Sequence, residues 1–386
     1  MRFTGLRLIA VAGALAACAG SLAAAAPAAG QPSVDLGVRL NQVQVIGTHN
    51  SYHRELTWAE KVEQTKTDQN AWNLWYSHAS LPVQFASESV RQIELDVMPD
   101  SDAGGLYTHP LVRTDAGLGP LTDPDMAKPG IKIMHWADHD YNNSCATLVK
   151  CLSQTKGWSD AHPGHVPIVV LIELKQTDPA MEARGGPKSP PWDTKRFADL
   201  DSEIRSVIPT NQLITPDTIR RPGLTLEQSV LRYGWPTLAQ SRGKFLFLMD
   251  NKDPQQQAPY LDGRPSLQGR VLFTDSAPGR ADAAFLEQND PTGPNTAHIQ
   301  DWVRRGYFVR TRADEPFDAA STGSTARLQA ALASGAQVVS TDFPIAGLSA
   351  RYGSDYVAPL PGRVPARCDP VSAPRFCAYQ PLDLAG

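Results

Sequence analysis

Apolar, β-branched runs recur along the chain between Gly, Pro and polar breaks. Eight of them read as strands: Gln42–His49, Val90–Val97, Ile131–Trp136, Val166–Lys175, Gly243–Asp250, Arg270–Asp275, Tyr307–Arg312 and Gln337–Asp342. They are near-continuous in apolar character, as parallel strands buried on both faces are. Between most of them lie stretches with apolar residues at roughly helical spacing. These are Cys145–His162 (Leu148, Val149, Leu152, Trp158), Thr194–Ile208, Thr225–Gln240, Ala281–Gln288, Thr296–Arg305 and Ser324–Ser334. Strands alternating with helices predict an α/β fold, a single-domain (β/α)8 TIM barrel. The span from Asn41 to Pro344 is 304 residues, within the roughly 200–400 that such barrels occupy. An open doubly wound sheet is the competing arrangement, and no glycine-rich dinucleotide fingerprint supports it.

Two long connections leave strand C-termini, Met98–Gly130 and Gln176–Trp192. That is the barrel face on which active sites form. Residues 345–386 form a Pro-rich tail expected to pack on the barrel. At the other end, Arg2 and Arg7 precede an apolar run from Leu8 to Ala17, and small residues continue to Ala29. This is the pattern of a secretory signal, too short for a membrane span. The expected organisation is a signal over 1–30, a catalytic barrel over 31–344 and a packed tail over 345–386. Cleavage near Ala26–Gly30 would export the protein to the medium or periplasm. The alternative is a lipoprotein box at Leu15–Cys18, anchoring the chain through Cys18.

Cysteine usage agrees with export. Cys145, Cys151, Cys368 and Cys377 remain after the signal, an even count in an oxidising compartment. Three pairings are open, and the close spacings favour Cys145–Cys151 and Cys368–Cys377. A zinc site is the rival, but neither pair has CxxC spacing. The net charge of −4 gives no electrostatic case for nucleic acid.

In a closed parallel barrel the strand ends converge on one mouth. Here those ends carry His49 and Asn50, Glu94 and Asp96, His135, Glu173 and Lys175, Asp250 and Lys252, Asp275, Arg310 and Arg312, and Asp342. With a period of two, Glu94/Asp96, Glu173/Lys175 and Arg310/Arg312 each project on one face. Charges inside apolar strands are costly unless paired or metal-bound. Asn50, Glu94, Asp96 and Glu173 are oxygen donors, a set that suits calcium, or less well magnesium, rather than zinc or copper. The competing reading is neutralisation by Lys175, Lys252, Arg310 and Arg312. His49 and His135 can exchange protons near neutral pH, and the basic residues suit a phosphate. Together these groups point to phosphodiester cleavage. Asp138 and Asp140 either join the mouth or cap the helix starting near Ser144. His53, His78, His139, His162, His165 and His298 read as surface or packing residues.

The motifs GTHNSYH (Gly47–His53), IELDV (Ile93–Val97), IKIMHWADHDY (Ile131–Tyr141) and IVVLIELK (Ile168–Lys175) resemble phosphatidylinositol-specific phospholipases C, in particular the calcium-dependent bacterial group. YFVRTRAD (Tyr307–Asp314) and VVSTDFP (Val338–Pro344) extend the likeness over most of residues 41–344. The resemblance implies His49 as the first catalytic histidine and Asn50, Glu94, Asp96 and Glu173 as calcium ligands. It implies His135 as the second histidine, with His109 in YTHP as the competitor. Lys252 and Arg312 resemble phosphate- and inositol-binding positions, and Lys175 and Arg310 join them as substrate-binding candidates. Metal-independent relatives replace calcium with an arginine, whereas the acidic set here is complete.

The implied chemistry is attack of the inositol 2-hydroxyl on phosphorus. A carboxylate such as Glu173 or a histidine would remove its proton, His49 would stabilise the phosphorane and His135 would protonate the departing diacylglycerol oxygen. A phosphoinositide or other inositol phosphodiester is the expected partner, with transient membrane contact and a monomeric chain. Trp72, Trp75 and Tyr76 either form an interfacial rim or pack a helix on the barrel. A glycerophosphodiester phosphodiesterase shares such a barrel, but its first motif is His-Arg-Gly rather than His49-Asn50-Ser51. An inactive headgroup-binding module is the remaining rival.

Overall fold

The computed structural model describes residues 34–315, 318–379 and 381–385. The expected signal, Cys18 and the start of the expected catalytic region lie outside the described residues. Eleven strands are present among them: β1 Val43–Thr48, β2 Val90–Met98, β3 Lys132–Ile133, β4 Ile168–Leu174, β5 Leu213–Ile214, β6 Phe245–Met249, β7 Phe273–Thr274, β8 Phe285–Glu287, β9 Phe308–Arg312, β10 Val338–Thr341 and β11 Ala366–Cys368. Parallel pairing runs β1–β2–β4–β6–β7 on one side and β1–β10–β9–β8 on the other. A single parallel bridge from Asp275 to Phe285 joins β7 to β8 and closes the ring. The fold is a TIM-type α/β barrel whose eight ring strands are β1, β2, β4, β6, β7, β8, β9 and β10. The ring strands are lined with buried Val, Ile, Leu and Phe, and helices such as Leu148–Ala161 and Thr194–Val207 bury their apolar stripes against them.

Three sequence expectations are corrected. The run Ile131–Trp136 is not a barrel strand. Only Lys132–Ile133 pairs, antiparallel, with the end of β2 (Val97 with Ile133, Met98 with Lys132), so His135 follows a short hairpin partner rather than a ring strand. Residues 281–288 form no helix: Phe285–Glu287 is ring strand β8. Ala, Leu and Glu favour a helix locally, yet closing the ring buries Phe285 and Leu286 and overrides that preference. Third, the stretch Thr225–Gln240 divides into helices Leu226–Tyr233 and Leu238–Ser241 around Gly234, which adopts φ 73°. Strand β5, two residues long, carried no usable pattern and pairs beside β7 on the edge of β6.

Beyond Pro344 the chain first lies beside the mouth, where Arg351 pairs with Glu55 and the Tyr356 hydroxyl donates to the Ala313 carbonyl, and then passes under the barrel. Strand β11 pairs antiparallel with β1, and Asp383 forms a buried ion pair with Arg91 at 2.7 Å. Cys145–Cys151 and Cys368–Cys377 are both disulfide-bonded, as their spacing favoured. On the mouth side, the connection after β2 builds its own small core from Tyr107, Val112, Met126, Met134 and Tyr141. That core fixes the segment bearing His135. No helix among the described residues is long and apolar enough to cross a membrane.

Inside the barrel Gly47 of β1 faces Gln92 of β2, its register partner. A Cβ at residue 47 would stand 1.7 Å from Gln92 Oε1, and neither amide atom of Gln92 has a hydrogen-bond partner to draw it aside. Gly47→Ala is therefore expected to cost about 1–3 kcal/mol by overpacking, measured by denaturant unfolding. Adding Gln92→Gly, which also removes the Gln92 Cβ that would stand 2.7 Å away, should recover part of that loss. A neutral single variant would disprove this packing account.

Candidate active site

Strand register assembles the acids. Asp96 of β2 is paired with Glu173 of β4, and Glu94 lies two residues earlier on the same face of β2. Oxygens of Glu94, Asp96 and Glu173 all lie within 4.8 Å of one another. Glu94 and Asp96 are buried and Glu173 is partly open to the mouth. Burial pushes the Glu94 carboxyl up to about 8, against the pull of Arg310, and lifts Asp96 well above the carboxylate range, against Lys175. Glu173 is lowered: burial opposes ionisation there, but Lys175, His135 and His49 outweigh it.

The counter-charges come from neighbouring strands. Lys175 Nζ lies 2.7 Å from Glu173 and 3.2 Å from Asp96, and sits over the Trp136 ring. Arg310, fully buried, donates to Glu94 at 2.7 Å and pairs with Glu287 at 3.1 Å. Asp250 completes the acidic lining; burial, then the nearby Glu287 charge, holds its carboxyl well above the usual range.

On the β1 side, His49 Nδ1 lies 2.9 Å from Asp342 Oδ1 and its Nε2 lies 3.7 Å from Glu94. Arg312 pairs with the other Asp342 oxygen at 3.0 Å. Burial, then Arg312, lowers His49 to about 3 even though Asp342 raises it, so the ring is neutral across the physiological range. The next residue, Asn50, has φ 46°, a left-handed turn that Asn tolerates. Its Nδ2 donates to the Tyr76 hydroxyl at 3.3 Å, which leaves Oδ1 buried without a partner. The Ser51 N–H donates to the Glu94 carbonyl, which holds this loop against β2.

Across the mouth, His135 Nδ1 lies 2.8 Å from Asp140 Oδ2, and the ring is 16% exposed. Burial lowers its pKa, and Lys175 adds to that against the opposing pull of Asp140. Burial would raise Asp140, yet His53 and His135 hold it ionised, well below the carboxylate range.

The structure thus brings His49, Asn50, Glu94, Asp96, Glu173, Lys175, Arg310 and Arg312 together, with His135 close enough to act on Glu173. Lys252 is exposed on the connection after β6 and reaches the cluster only as a charge near Asp275. Arg310 turns its fork to Glu94, Glu287 and Asn289 beneath the mouth. His109 is exposed on the long insertion, bonded to its neighbour Thr108. Sequence reasoning missed His53 and Tyr76, which are buried in the site, and left Asp140 undecided. Tyr76 stacks on His53 and is no rim residue.

The donor set fits a hard cation. Asn50 Oδ1 is buried with no hydrogen-bond partner, and the buried Asp96 carboxyl has only the Lys175 ammonium, 3.2 Å away, beside it. Buried oxygens with so few partners, beside raised carboxyls, are the donors a cation would satisfy. Four oxygen donors on adjacent elements suit calcium.

The model of the family "Phosphoinositide phospholipase C, Ca2+-dependent" matches residues 38–370. No curated protein matches the chain. Among solved structures, the apo calcium-dependent phosphoinositol-specific phospholipase C of a Pseudomonas species is 17% identical, with a TM-score of 0.52, over 87% of this chain and 97% of that one. Its myo-inositol complex is 16% identical, with a TM-score of 0.51, over 86% and 96%. The calcium-dependent phosphatidylinositol-specific enzyme of Streptomyces antibioticus is 19% identical, with a TM-score of 0.48, over 80% and 96%. The Pseudomonas structures show the same fold.

Calcium at about 100 times its dissociation constant should raise stability by about 2.7 kcal/mol, visible as an upward shift in thermal unfolding that a chelator reverses. Asp96→Asn should abolish that shift while the metal-free variant melts close to wild type, because burial already disfavours the Asp96 charge and Lys175 keeps its pair with Glu173. An undiminished calcium shift in Asp96→Asn would place the ion elsewhere.

Proposed function

This chain belongs to the Ca2+-dependent phosphoinositide phospholipase C family, and we propose that it cleaves phosphatidylinositol, or a closely related inositol phosphodiester, by attack of the inositol 2-hydroxyl on phosphorus. It is a phosphodiesterase of the phospholipase C type. Diacylglycerol leaves, inositol cyclic phosphate forms, and water opens the ring in a later step. The observation that carries this reading is three carboxylates within 4.8 Å of one another, flanked by two imidazoles that each have a carboxylate partner.

Held by Asn50, Glu94, Asp96 and Glu173, calcium would supply Lewis acidity, sharpening the 2-hydroxyl and offsetting charge at phosphorus. His49 is neutral, and its Nδ1 hydrogen is committed to Asp342. Its Nε2 lone pair can therefore take the hydroxyl proton, and Asp342 then stabilises the imidazolium. This makes His49 the base, in preference to Glu173, which Lys175 already holds and which would help hold the ion. His135, in its protonated form, gives a proton to the departing glycerol oxygen. Arg312 and Lys175 at the rim, with Lys252 on its flexible stem, would receive phosphate and ring hydroxyls. Arg310 serves instead to hold Glu94 and Glu287 in place.

The substrate is a lipid, so the mouth must meet a surface. Trp58 is 71% and Trp72 43% exposed in the connection that follows β1, and they are the side chains proposed to touch the bilayer. The signal-like pattern of residues 1–30 and the two disulfides support export, and the chain is proposed to act as a monomer.

The decisive experiment is phosphorus NMR of phosphatidylinositol turnover. With calcium, a cyclic phosphodiester signal should appear and then decay, and a chelator should abolish it. Glycerophosphocholine should stay intact. Full turnover in chelator would refute the metal assignment, and turnover of glycerophosphocholine alone would refute the substrate. His135→Ala should lower kcat about 10²–10⁴-fold, while His109→Ala should stay near wild type; the reverse pattern would exchange their roles.

A further inference from the structure

His53 lies four residues past His49 and has no part in the steps above. Its side chain is wholly enclosed, 0% exposed. A buried imidazole is tolerated when both ring nitrogens find partners, and both do here. Nδ1 is 3.0 Å from the Tyr76 carbonyl, and Nε2 is 2.9 and 3.0 Å from the two Asp140 oxygens. A carbonyl and an ionised carboxylate both only accept, so Nδ1 and Nε2 each carry a hydrogen. The Tyr76 ring lies flat on the imidazole, with centroids 4.4 Å apart and 23° between planes. The His53 backbone is pinned as well: its N–H donates to Asn50, and its carbonyl accepts from His78. The ring has no room to swing away.

Asp140 therefore stands between two imidazoles, His53 sealed behind it and His135 at the mouth. A carboxylate held from one side only can turn about its terminal torsion. Here His53 spans both oxygens and fixes the carboxylate plane, and Oδ2 then meets His135 Nδ1 at 2.8 Å.

We infer that His53 is a positioning residue for proton transfer, which through Asp140 keeps the His135 hydrogen on Nδ1 and turns Nε2 toward the leaving oxygen. The inference rests on the role proposed for His135. In that step the bond from phosphorus to the glycerol oxygen breaks, and the electron pair stays on that oxygen. The oxygen takes the Nε2 proton, and His135 ends neutral with Nδ1–H still on Asp140. The segment His49–His53 thus supplies one catalytic imidazole and orients the other.

The test uses the full chain with calcium and two substrates: phosphatidylinositol vesicles, and an inositol phosphodiester whose leaving group is nitrophenolate, which departs without a proton. His53→Leu should lower kcat on the lipid about 10–100-fold, the range for loss of an orienting partner, with KM nearly unchanged. It should spare the nitrophenyl substrate. His53→Gln, whose side-chain amide can still donate to Asp140, should recover most of the lipid activity. Wild-type lipid turnover by His53→Leu, beside an inactive His135→Ala, would overturn the inference. So would an equal loss on both substrates with a lowered melting temperature, since that marks a purely structural role. If His135→Ala itself keeps full lipid activity, the reading of His135 beneath this inference falls instead.

Discussion

Crowding negative charge at the mouth of an apolar barrel governs everything else in this molecule. Glu94, Asp96, Glu173, Asp250 and Glu287 converge there, on or just past strands that are otherwise mostly hydrocarbon. Ionised together in a low-dielectric pocket they would repel one another and lose their hydration. The chain answers from below with Arg310, which binds Glu94 and Glu287, and from the rim with Lys175, which meets Asp96 and Glu173. Two cations against five acids leave a deficit, and burial, with the neighbouring acids adding to it, holds Glu94, Asp96 and Asp250 above the usual carboxylate range. A protein shaped by stability alone would have placed apolar residues at these positions, because replacing buried ion pairs with hydrocarbon is often neutral or stabilising. The deficit is thus a property of the site.

Backbone geometry turns that deficit into a shape. The pairing of Asp96 with Glu173 across β2 and β4 makes their separation a consequence of strand spacing rather than of flexible side chains. Asn50 reaches the same place by another route, a left-handed turn at the end of β1 and a bond to the Tyr76 hydroxyl that aims its oxygen. Rigid strands hold the acids, and a braced loop holds the amide. This is the division of labour that places precise chemistry on regular elements and adaptable chemistry on connections.

How much of this was legible depended on range. Glu94 and Asp96, two apart in an apolar strand, announced themselves because a period of two puts both on one face. Glu173 and the arginine pair on β9 did likewise. The ring itself was harder to read. Ile131–Trp136 has the composition of a barrel strand, but its partner is the far end of β2, and pairing direction leaves no mark in composition. Phe285–Glu287 is three residues long in helix-favouring company, so its strand identity comes entirely from the neighbours that close the ring. His53 was taken for packing because nothing local separates a buried histidine that orients from one that merely fills space. What distinguishes it is Asp140, 87 residues away.

The same long-range pairing explains how two identical side chains come to different tasks. His49 and His135 each hold a carboxylate through Nδ1, and each carboxylate is anchored again from behind, Asp342 by Arg312 and Asp140 by His53. His49 and then Arg312 keep Asp342 ionised despite burial, and His53 and His135 do the same for Asp140, so both rings commit Nδ1 to a carboxylate and leave Nε2 for the chemistry. What differs is the company in front. His49 lies under the field of Arg312 and Arg310, which favours the neutral ring and suits it to receive a proton. His135 is lowered as well, by burial and Lys175, but Asp140 and then Glu173 pull the other way; two carboxylates face one ammonium there, where two guanidiniums face one carboxylate at His49. Environment rather than residue type separates acid from base, and the partners that create those environments come from the ends of different strands.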